Sequence, residues 1–195
     1  MTHPTGSLPA TYFDALYAAD PDPWQFHSSE YEAAKYAATL AALERPRYGR
    51  ALEVGCSIGV LTRQLATRCD TLVAIDGSAR AIAAARRLCG APPGLTLAQR
   101  EVPRQWPRAR YDLILFSEIL YYLDEADLAC VAALTRRDLA PGGEVLLVHW
   151  TGTTDYPLSG DAAAEGLIGA LADLMPVARQ ERSERYRLDL LRRPG

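Results

Sequence analysis

Short apolar segments alternate with helix-like segments along most of the chain. Apolar runs of strand length, each bounded by turn-forming residues, predict strands at 51–54, 71–75, 95–98, 111–116 and 144–148. Stretches with helical periodicity predict helices at 60–68, 79–88, 125–138 and 162–174. Strands that alternate with helices form βαβ units, and such units build a parallel sheet. We therefore expect an α/β fold.

The two ends of the chain depart from this alternation. Residues 176–180 and 185–191 predict two strands joined by a tight polar connection, which is typical of an antiparallel hairpin. Residues 11–19 predict a short helix that ends at Asp20-Pro21-Asp22-Pro23. A second helix is predicted from the capping box Ser29-Glu30-Tyr31-Glu32 to about Leu43. We expect a helical N-terminal segment, a parallel sheet and a closing hairpin.

Length and charge exclude several classes of protein. The chain has 195 residues, which fits one globular domain. No apolar run approaches the roughly 18–20 residues of a membrane span, and the first ten residues lack the pattern of a signal peptide. We therefore expect a cytoplasmic protein without a membrane partner. Basic residues are scattered and number 21 against 24 acids, so a nucleic-acid partner is not expected.

The cysteines and histidines show no metal-binding pattern. Cys56, Cys69, Cys89 and Cys130 lie far apart without a C-x-x-C pair, and the three histidines are spread over the chain. We expect reduced, mostly buried thiols and no bound metal.

The most informative segment is Ala51-Leu52-Glu53-Val54-Gly55-Cys56-Ser57-Ile58-Gly59, a predicted strand followed by a loop of small residues and a helix. Glycine in such a loop lets the backbone approach a ligand closely. The dinucleotide fingerprint is G-x-G-x-x-G, whereas this loop is G-x-S-x-G with an acid two residues before its first glycine. That acid suits a cationic ligand better than a pyrophosphate. A nicotinamide-dependent oxidoreductase is therefore the less favoured class of enzyme.

A second acid, Asp76, ends the next predicted strand, 21 residues after Gly55. A carboxylate in that position can accept both hydroxyls of a ribose. The alternative is that Asp76 caps the following helix, which Ser78 can do instead. With two acids beside the loop, a ligand site is favoured over a plain tight turn at Gly55 and Gly59.

The segment from Glu53 to Gly59, together with Asp76, resembles the first two motifs of class I S-adenosylmethionine-dependent methyltransferases. The resemblance implies a Rossmann-like fold: a seven-stranded, mostly parallel sheet with an antiparallel C-terminal hairpin and helices on both faces. It also implies S-adenosyl-L-methionine as cofactor and S-adenosyl-L-homocysteine as product. Two positions depart from the family pattern. Ser57 stands where the middle glycine is usual, and Gly77 stands where an apolar residue often follows the ribose acid.

The same resemblance implies roles for individual residues. Glu53 is expected to hold the methionine ammonium, Asp76 to bind the ribose hydroxyls, and Glu101 to lie where an acid meets the adenine amino group. Lys35, the one lysine beside 20 arginines, is the candidate for the methionine carboxylate. The other expected cofactor contacts are Tyr31, Gly55, Cys56, Ser57, Gly59, Gly77, Ser78, Val102 and Ser117.

A closer resemblance extends to the N-terminus and covers nearly the whole chain. The segments Tyr12-Phe13-Asp14, Asp22-Pro23-Trp24, Gly55-Cys56-Ser57-Ile58-Gly59 and His149-Trp150 are similar to the nodulation protein S (NodS-like) methyltransferases. Rhizobial members N-methylate the free amine at the non-reducing end of a deacetylated chitooligosaccharide. The resemblance implies a small-molecule acceptor, with the amine of an aminosugar or oligosaccharide favoured. We expect a single domain, 1–195, in which a helical lid at 1–45 closes over a core at 46–195.

Three residues are candidates for the acceptor chemistry. Ligands bind at the carboxyl ends of the strands in this architecture, so Glu118 and His149 are expected at the acceptor site. Glu118 is the first candidate for contact with a cationic acceptor, against the alternative of a surface carboxylate. His149 is a candidate base, or else a buried, hydrogen-bonded residue. Asp155 is a third candidate, in a polar loop, or else a turn residue.

An aromatic platform for a sugar ring or alkylated amine is predicted from Tyr121, Tyr122 and Trp150, with core packing as the alternative for at least one tyrosine.

Two other functions stay open, a small-molecule O-methyltransferase and a noncatalytic S-adenosylmethionine-binding module. Methyltransferases that act on nucleic-acid amines carry Asn/Asp-Pro-Pro-aromatic where this chain has Ser117-Glu118-Ile119-Leu120, so this class of methyltransferase is not expected. The oligomeric state is expected to be monomer or dimer.

Overall fold

The structure is a computed structural model in which residues 4–195 are described. The α-helices are α1 (Ala10–Ala19), α2 (Glu30–Ala42), α3 (Val60–Leu65), α4 (Ala79–Cys89), α5 (Glu125–Asp138) and α6 (Gly160–Leu171). The strands are β1 (Tyr48–Val54), β2 (Cys69–Asp76), β3 (Leu95–Gln99), β4 (Tyr111–Ser117), β5 (Leu139–Trp150), β6 (Val177–Arg182) and β7 (Tyr186–Arg192). Short 3-10 helices occur at Ala66–Arg68 and Leu120–Tyr122. Each predicted helix and strand is present.

Residues Pro9–Glu101 form one compact unit, which contains α1 to α4 and β1 to β3. Strand β1 runs parallel to β2, from the pair Tyr48↔Cys69 to Val54↔Ile75. Strand β2 in turn runs parallel to β3 and ends with Asp76 opposite Gln99. Because the three strands are parallel, their carboxyl ends meet at the same edge, which is where this architecture binds ligands.

Residues Val102–Gly195, together with residues 4–8, form a second compact unit. Strand β4 runs parallel to β5, and Ser117 lies opposite Val148 at the carboxyl end of β4. Strand β7 runs antiparallel to both β5 and β6. The predicted C-terminal hairpin is therefore confirmed.

The strand order is β3-β2-β1-β4-β5-β7-β6. This order has parallel pairs within β1–β3 and between β4 and β5, and antiparallel pairs with β7, so the predicted mostly parallel, seven-stranded sheet is confirmed. The single domain with a lid at residues 1–45 stays a prediction, and residues 1–3 of that segment lie outside the described range.

Side-chain caps set the beginnings of four helices. The Oγ atoms of Ser29, Ser78 and Ser159 and the Oδ1 atom of Asp124 each accept a hydrogen bond from the backbone amide three residues later. Such caps satisfy amides that have no partner inside the helix. The cap at Ser159 corrects the predicted start of α6 from residue 162 to Gly160.

The largest difference from the predicted elements is the beginning of β5. The sequence Ala140-Pro141-Gly142-Gly143 favours a turn, and the strand was expected from residue 144. In the structure β5 begins at Leu139, which pairs with Tyr111, and the register then shifts before Leu113 pairs with Glu144. Gly142 has a left-handed φ of 71°, so the irregular backbone is absorbed as a bulge within the strand.

The sheet interior is apolar, as expected for strands covered on both sides. The central residues of β4 and β5 are fully buried, including Leu113, Phe116, Val145 and Val148. Of the cysteines, Cys56 and Cys69 are buried, Cys89 is half-buried and Cys130 is exposed, so the expectation of mostly buried thiols holds for two of them. Within residues 4–195 no helix is long and apolar enough to cross a membrane, and no cluster of histidine, cysteine or acidic residues is arranged to hold a metal.

Candidate active site

The loop between β1 and α3 is built from residues in the left-handed conformation. Gly55, Ser57 and Gly59 have φ values of 83°, 50° and 88°. Glycine adopts this region freely, whereas a residue with a Cβ pays roughly 1–2 kcal/mol. Gly59 also lacks room for a side chain, since a Cβ there would lie 3.0 Å from the backbone of Ala85 and from Cys89 Sγ. The backbone conformation of the loop is therefore tightly restricted, and position 59 requires glycine.

Asp76, the last residue of β2, organises this loop. Its Oδ2 accepts a hydrogen bond from the amide of Ser57 at 2.9 Å, and its Oδ1 accepts one from the amide of Ser78 at 2.8 Å. Each carboxylate oxygen has a second lone pair, so both can accept a further donor. The cap of α4 is Ser78, whose Oγ accepts from the amide of Ala81 at 3.2 Å. Asp76 is thus available for the predicted ribose contact.

Glu53 places a second carboxyl beside the loop, in the interior of the protein. Its side chain is buried, and its Oε2 has no hydrogen-bond partner among residues 4–195. Burial and, to a smaller extent, the charge of Asp76 raise the pKa of Glu53 to about 7, against the lowering effect of the Thr62 hydroxyl. Burial likewise raises the pKa of Asp76 to about 6, against the lowering effect of the Ser78 and Ser57 amides. Buried acids of this kind bind a cation favourably because a positive charge compensates their lost hydration.

Helix α1 contacts this loop and the cap of α4 through Tyr17 and Asp14, two side chains for which the sequence predicted no role. The hydroxyls of Tyr17 and Ser57 are hydrogen-bonded at 2.5 Å, and Ser78 Oγ donates to Asp14 Oδ1 at 2.5 Å. Tyr17 also packs with Ile58 in an apolar cluster that includes Phe13, Trp24, Phe26 and Val60. Asp14 lies in a segment that carried the family resemblance, which was the one signal for it in the sequence.

Of the predicted cofactor contacts on α2, Lys35 takes part in a buried ion pair. Lys35 Nζ lies 3.0 Å from Glu32 Oε1, and both side chains are buried. The ammonium also lies 5.3 Å from the centre of the Tyr31 ring. Glu32 lies three residues before Lys35, a spacing that places both side chains on one helix face and made this ion pair predictable. The cofactor contacts of Tyr31 and Lys35 stay predictions.

The predicted adenine-side residues follow β3. A Cβ at Gly77 would lie 3.7 Å from Glu101 Cγ, so Glu101 lies next to the residue that follows Asp76. The amide of Arg100 donates to the carbonyl of Asp76 at 2.9 Å. Val102 is half-buried and begins the second compact unit.

On the second unit, Glu118 is held firmly at the end of β4. Its Oε2 accepts hydrogen bonds from the Tyr121 hydroxyl and from the amide of Trp150, both at 2.8 Å. Its backbone is left-handed, with φ at 56°, and its amide donates to the carbonyl of Val148. A strained residue whose carboxylate is fixed by two donors is typical of a functional position. Ser117, the preceding residue, is buried at the end of the strand.

His149 and Asp155 lie in different surroundings. His149 is fully buried, and its Nε2 accepts a hydrogen bond from the amide of Leu120 at 3.3 Å. This bond holds the 3-10 helix that carries Tyr121, and Nε2 would have to give it up to act as a base. Asp155 is exposed on the loop that follows β5.

The tyrosines of the second unit pack against one another. Tyr121 and Tyr156 are stacked, with ring centroids 5.4 Å apart, and Tyr122 meets each of them edge-on at 4.6 Å. Tyr121 and Tyr122 are buried, whereas Tyr156 and Trp150 are half-buried. The two buried tyrosines are therefore part of the core, which corrects their predicted use as an open platform. Burial, and then the charge of Glu118, raises the pKa of Tyr121 well above its usual value.

Comparison with known proteins identifies a family and several relatives. The family described as Nodulation protein S (NodS) matches residues 15–140. Nodulation protein S from Rhizobium tropici is 35% identical over 131 residues, which are 66% of this chain and 55% of that protein. The chain thus spans about half the length of the curated relatives it matches.

Solved structures share the fold. The crystal structure of the N-methyltransferase NodS from Bradyrhizobium japonicum WM9 in complex with S-adenosyl-L-homocysteine matches with a TM-score of 0.82 and 23% identity, over 96% of this chain and 100% of that one. A putative methyltransferase from Pseudomonas syringae matches with a TM-score of 0.71 and 38% identity, over 85% of this chain and 100% of that one. The Rossmann-like methyltransferase fold is confirmed, and the chain belongs to the nodulation protein S family.

Proposed function

We propose that this protein is an S-adenosyl-L-methionine-dependent methyltransferase that acts on a small-molecule acceptor. One observation carries the proposal. The buried Glu53 carboxyl, with an Oε2 that has no partner among residues 4–195, adjoins a left-handed glycine loop in which the amide of Ser57 donates a hydrogen bond to Asp76. A buried acid for an ammonium and a strand-end acid for a ribose are the two groups that this cofactor requires.

The residues present fit the cofactor. Glu53 would pair with the methionine ammonium, the second lone pairs of the Asp76 oxygens would accept the ribose hydroxyls, and Gly55 and Gly59 would let the backbone lie against the ligand. Glu101, beside Gly77, would meet the adenine amino group. When bound, the cofactor supplies a methyl group that its sulfonium charge has already activated.

The work left to the protein is to orient the acceptor and to receive its proton. Glu118 is a fixed carboxylate, because Tyr121 and Trp150 hold its Oε2. It would bind an acceptor ammonium and take up the proton that must leave before the nitrogen lone pair can attack the methyl carbon. His149 supports this arrangement by holding the amide of Leu120. Asp155 would contact the acceptor from its loop.

The finer proposal is an amine acceptor of the aminosugar or oligosaccharide class, and hence N-methylation. Two features support it. The carboxylate of Glu118 favours a cationic acceptor over an acid or a phenolate, and the solved relative from Bradyrhizobium japonicum is an N-methyltransferase.

The test is transfer of labelled methyl from S-adenosyl-L-methionine to deacetylated chitooligosaccharides and simple aminosugars, beside phenols, carboxylic acids and N-acetylated twins. We expect label on the free-amine sugars and none on the acetylated twins. Glu118→Gln removes the charge that holds the ammonium and should lower kcat/KM by about 100-fold. Glu184→Gln, an exposed acid in the β6–β7 connection, is the matched control and should keep wild-type activity.

The outcomes separate the alternatives. Label on phenols or carboxylic acids alone would show that the enzyme is an O-methyltransferase and would overturn the N-methylation proposal. Binding of S-adenosyl-L-homocysteine without transfer to any acceptor would favour a noncatalytic binding module. Equal activity in Glu118→Gln and Glu184→Gln would remove Glu118 from the acceptor site.

A further inference from the structure

Ser57 is an unusual residue for its place in the loop. Its φ of 50° lies in the left-handed region, between two glycines that adopt the same region without a Cβ. Glycine would relieve this strain. The feature that a glycine would lose is the hydroxyl of Ser57, which is hydrogen-bonded to the buried hydroxyl of Tyr17 at 2.5 Å.

A second bond of the same kind connects the same two elements. Ser78 Oγ donates to Asp14 Oδ1 at 2.5 Å. Asp14 and Tyr17 are three residues apart on α1, so both side chains lie on one face of that helix. Helix α1 therefore holds two serines, one on each side of Asp76 in the chain.

These serines are also the residues that orient Asp76. The amide of Ser57 donates to Oδ2 and the amide of Ser78 donates to Oδ1. The network consequently runs from two side chains of α1, through two serines, to the two oxygens of one carboxylate. Loss of an α1 contact would let the loop relax, and a relaxed carboxylate must be ordered again when a ligand binds, which costs affinity.

We propose that Tyr17 and Asp14 are positioning residues for cofactor binding, which act through Ser57 and Ser78 to fix the Asp76 carboxylate. Docking of α1 onto the loop and binding of the ribose are then coupled, although neither α1 side chain has to touch the ligand. This inference rests on the proposed function, since the ligand in question is the proposed cofactor.

The experiment measures binding of S-adenosyl-L-homocysteine by calorimetry to the full chain. Tyr17→Phe keeps the ring and removes the hydroxyl, and it should weaken binding by about 3- to 10-fold. Tyr12→Phe makes the same change at a partly exposed tyrosine of the same helix and should leave the affinity unchanged. Thermal unfolding of each variant confirms that it is folded.

Ser57→Gly supplies a readout that a purely structural role would not give. The substitution relieves the left-handed strain, so the unliganded protein should be as stable as wild type or more so, yet binding should weaken as in Tyr17→Phe. The double variant Ser57→Gly with Tyr17→Phe should bind no more weakly than either single variant, because both remove the same bond.

The Asp14 contact is tested by rescue. Asp14→Ala should weaken binding, whereas Asp14→Asn keeps an acceptor oxygen for Ser78 Oγ and should restore most of the affinity. Amide hydrogen exchange without ligand adds a second readout. Tyr17→Phe should speed exchange in α1 and leave exchange in α5 unchanged.

Two failures are distinguishable. If wild type does not bind S-adenosyl-L-homocysteine, the proposed cofactor is wrong and the positioning role fails with it. If wild type binds and Tyr17→Phe and Ser57→Gly bind equally well, the cofactor proposal survives and the positioning proposal is overturned.

Discussion

At the scale of single residues, the site depends on carboxyl groups whose surroundings differ. Glu53 is buried beside Asp76, and both have a raised pKa because burial disfavours their charge. Glu118 is held by a hydroxyl and a backbone amide. In the proposed function, the first two would meet a bound cation that restores their charge, and the third would meet an acceptor that arrives with a proton.

The raised pKa of Glu53 predicts pH-dependent cofactor binding. Only the ionised carboxylate attracts an ammonium, so affinity should rise with pH and level off above the pKa of about 7. Affinity of wild type for S-adenosyl-L-homocysteine should be about tenfold weaker at pH 6 than at pH 8. In Glu53→Gln this dependence should shrink, and what remains should centre on the Asp76 pKa of about 6. Calorimetry across pH 5.5–8 checks this, and affinity independent of pH would contradict it.

Tyr121 is predicted to act on the acceptor through Glu118. Tyr121→Phe keeps the stacked ring and removes the donor to Glu118 Oε2, so the carboxylate loses one of the hydrogen bonds that hold it. We expect kcat/KM for the amine acceptor to fall by about 3- to 15-fold, with the affinity for S-adenosyl-L-homocysteine unchanged. Steady-state kinetics and calorimetry measure the two quantities. An equal loss in both would mean that the substitution disturbs the fold rather than Glu118.

At the scale of elements, the end of β5 and the beginning of α6 fit closely. A Cβ at Gly160, the first residue of α6, would lie 1.8 Å from the backbone oxygen of Trp150. This contact brings the helix start directly against the residue whose amide holds Glu118. Packing therefore requires a small residue at the start of this helix, next to the residue that holds Glu118.

A matched pair of glycines in α6 tests this contact. Gly160→Ala should destabilise the protein by about 3 kcal/mol, because neither backbone can move away without disrupting an element. Gly169→Ala, where a Cβ meets nothing within 4 Å, should stabilise it by about 0.5–1 kcal/mol through helix propensity. Chemical unfolding measures both free energies. Similar small effects at the two positions would contradict the packing described.

At the scale of the whole molecule, the sequence predicted what depends on local pattern and missed what depends on distant contacts. The spacing of apolar residues predicts the helices and strands, and capping side chains such as Ser29 and Asp124 mark where helices begin. The start of β5 was missed because Pro141-Gly142-Gly143 by itself favours a turn, and only the pairing with β4 makes it part of a strand. The bonds from α1 to Ser57 and Ser78 join residues 40 and 64 positions apart, and no local pattern encodes such pairs. Location, oligomeric state and acceptor stay predictions.

The most direct test of the central claim is a calorimetric titration of S-adenosyl-L-homocysteine at pH 8 into wild type, Glu53→Gln and Glu184→Gln. We expect saturable binding to wild type and to Glu184→Gln, and binding weakened by about 10-fold or more in Glu53→Gln, since a buried ion pair loses one partner. Absence of binding to wild type, or equal affinity in all three proteins, would contradict the central claim.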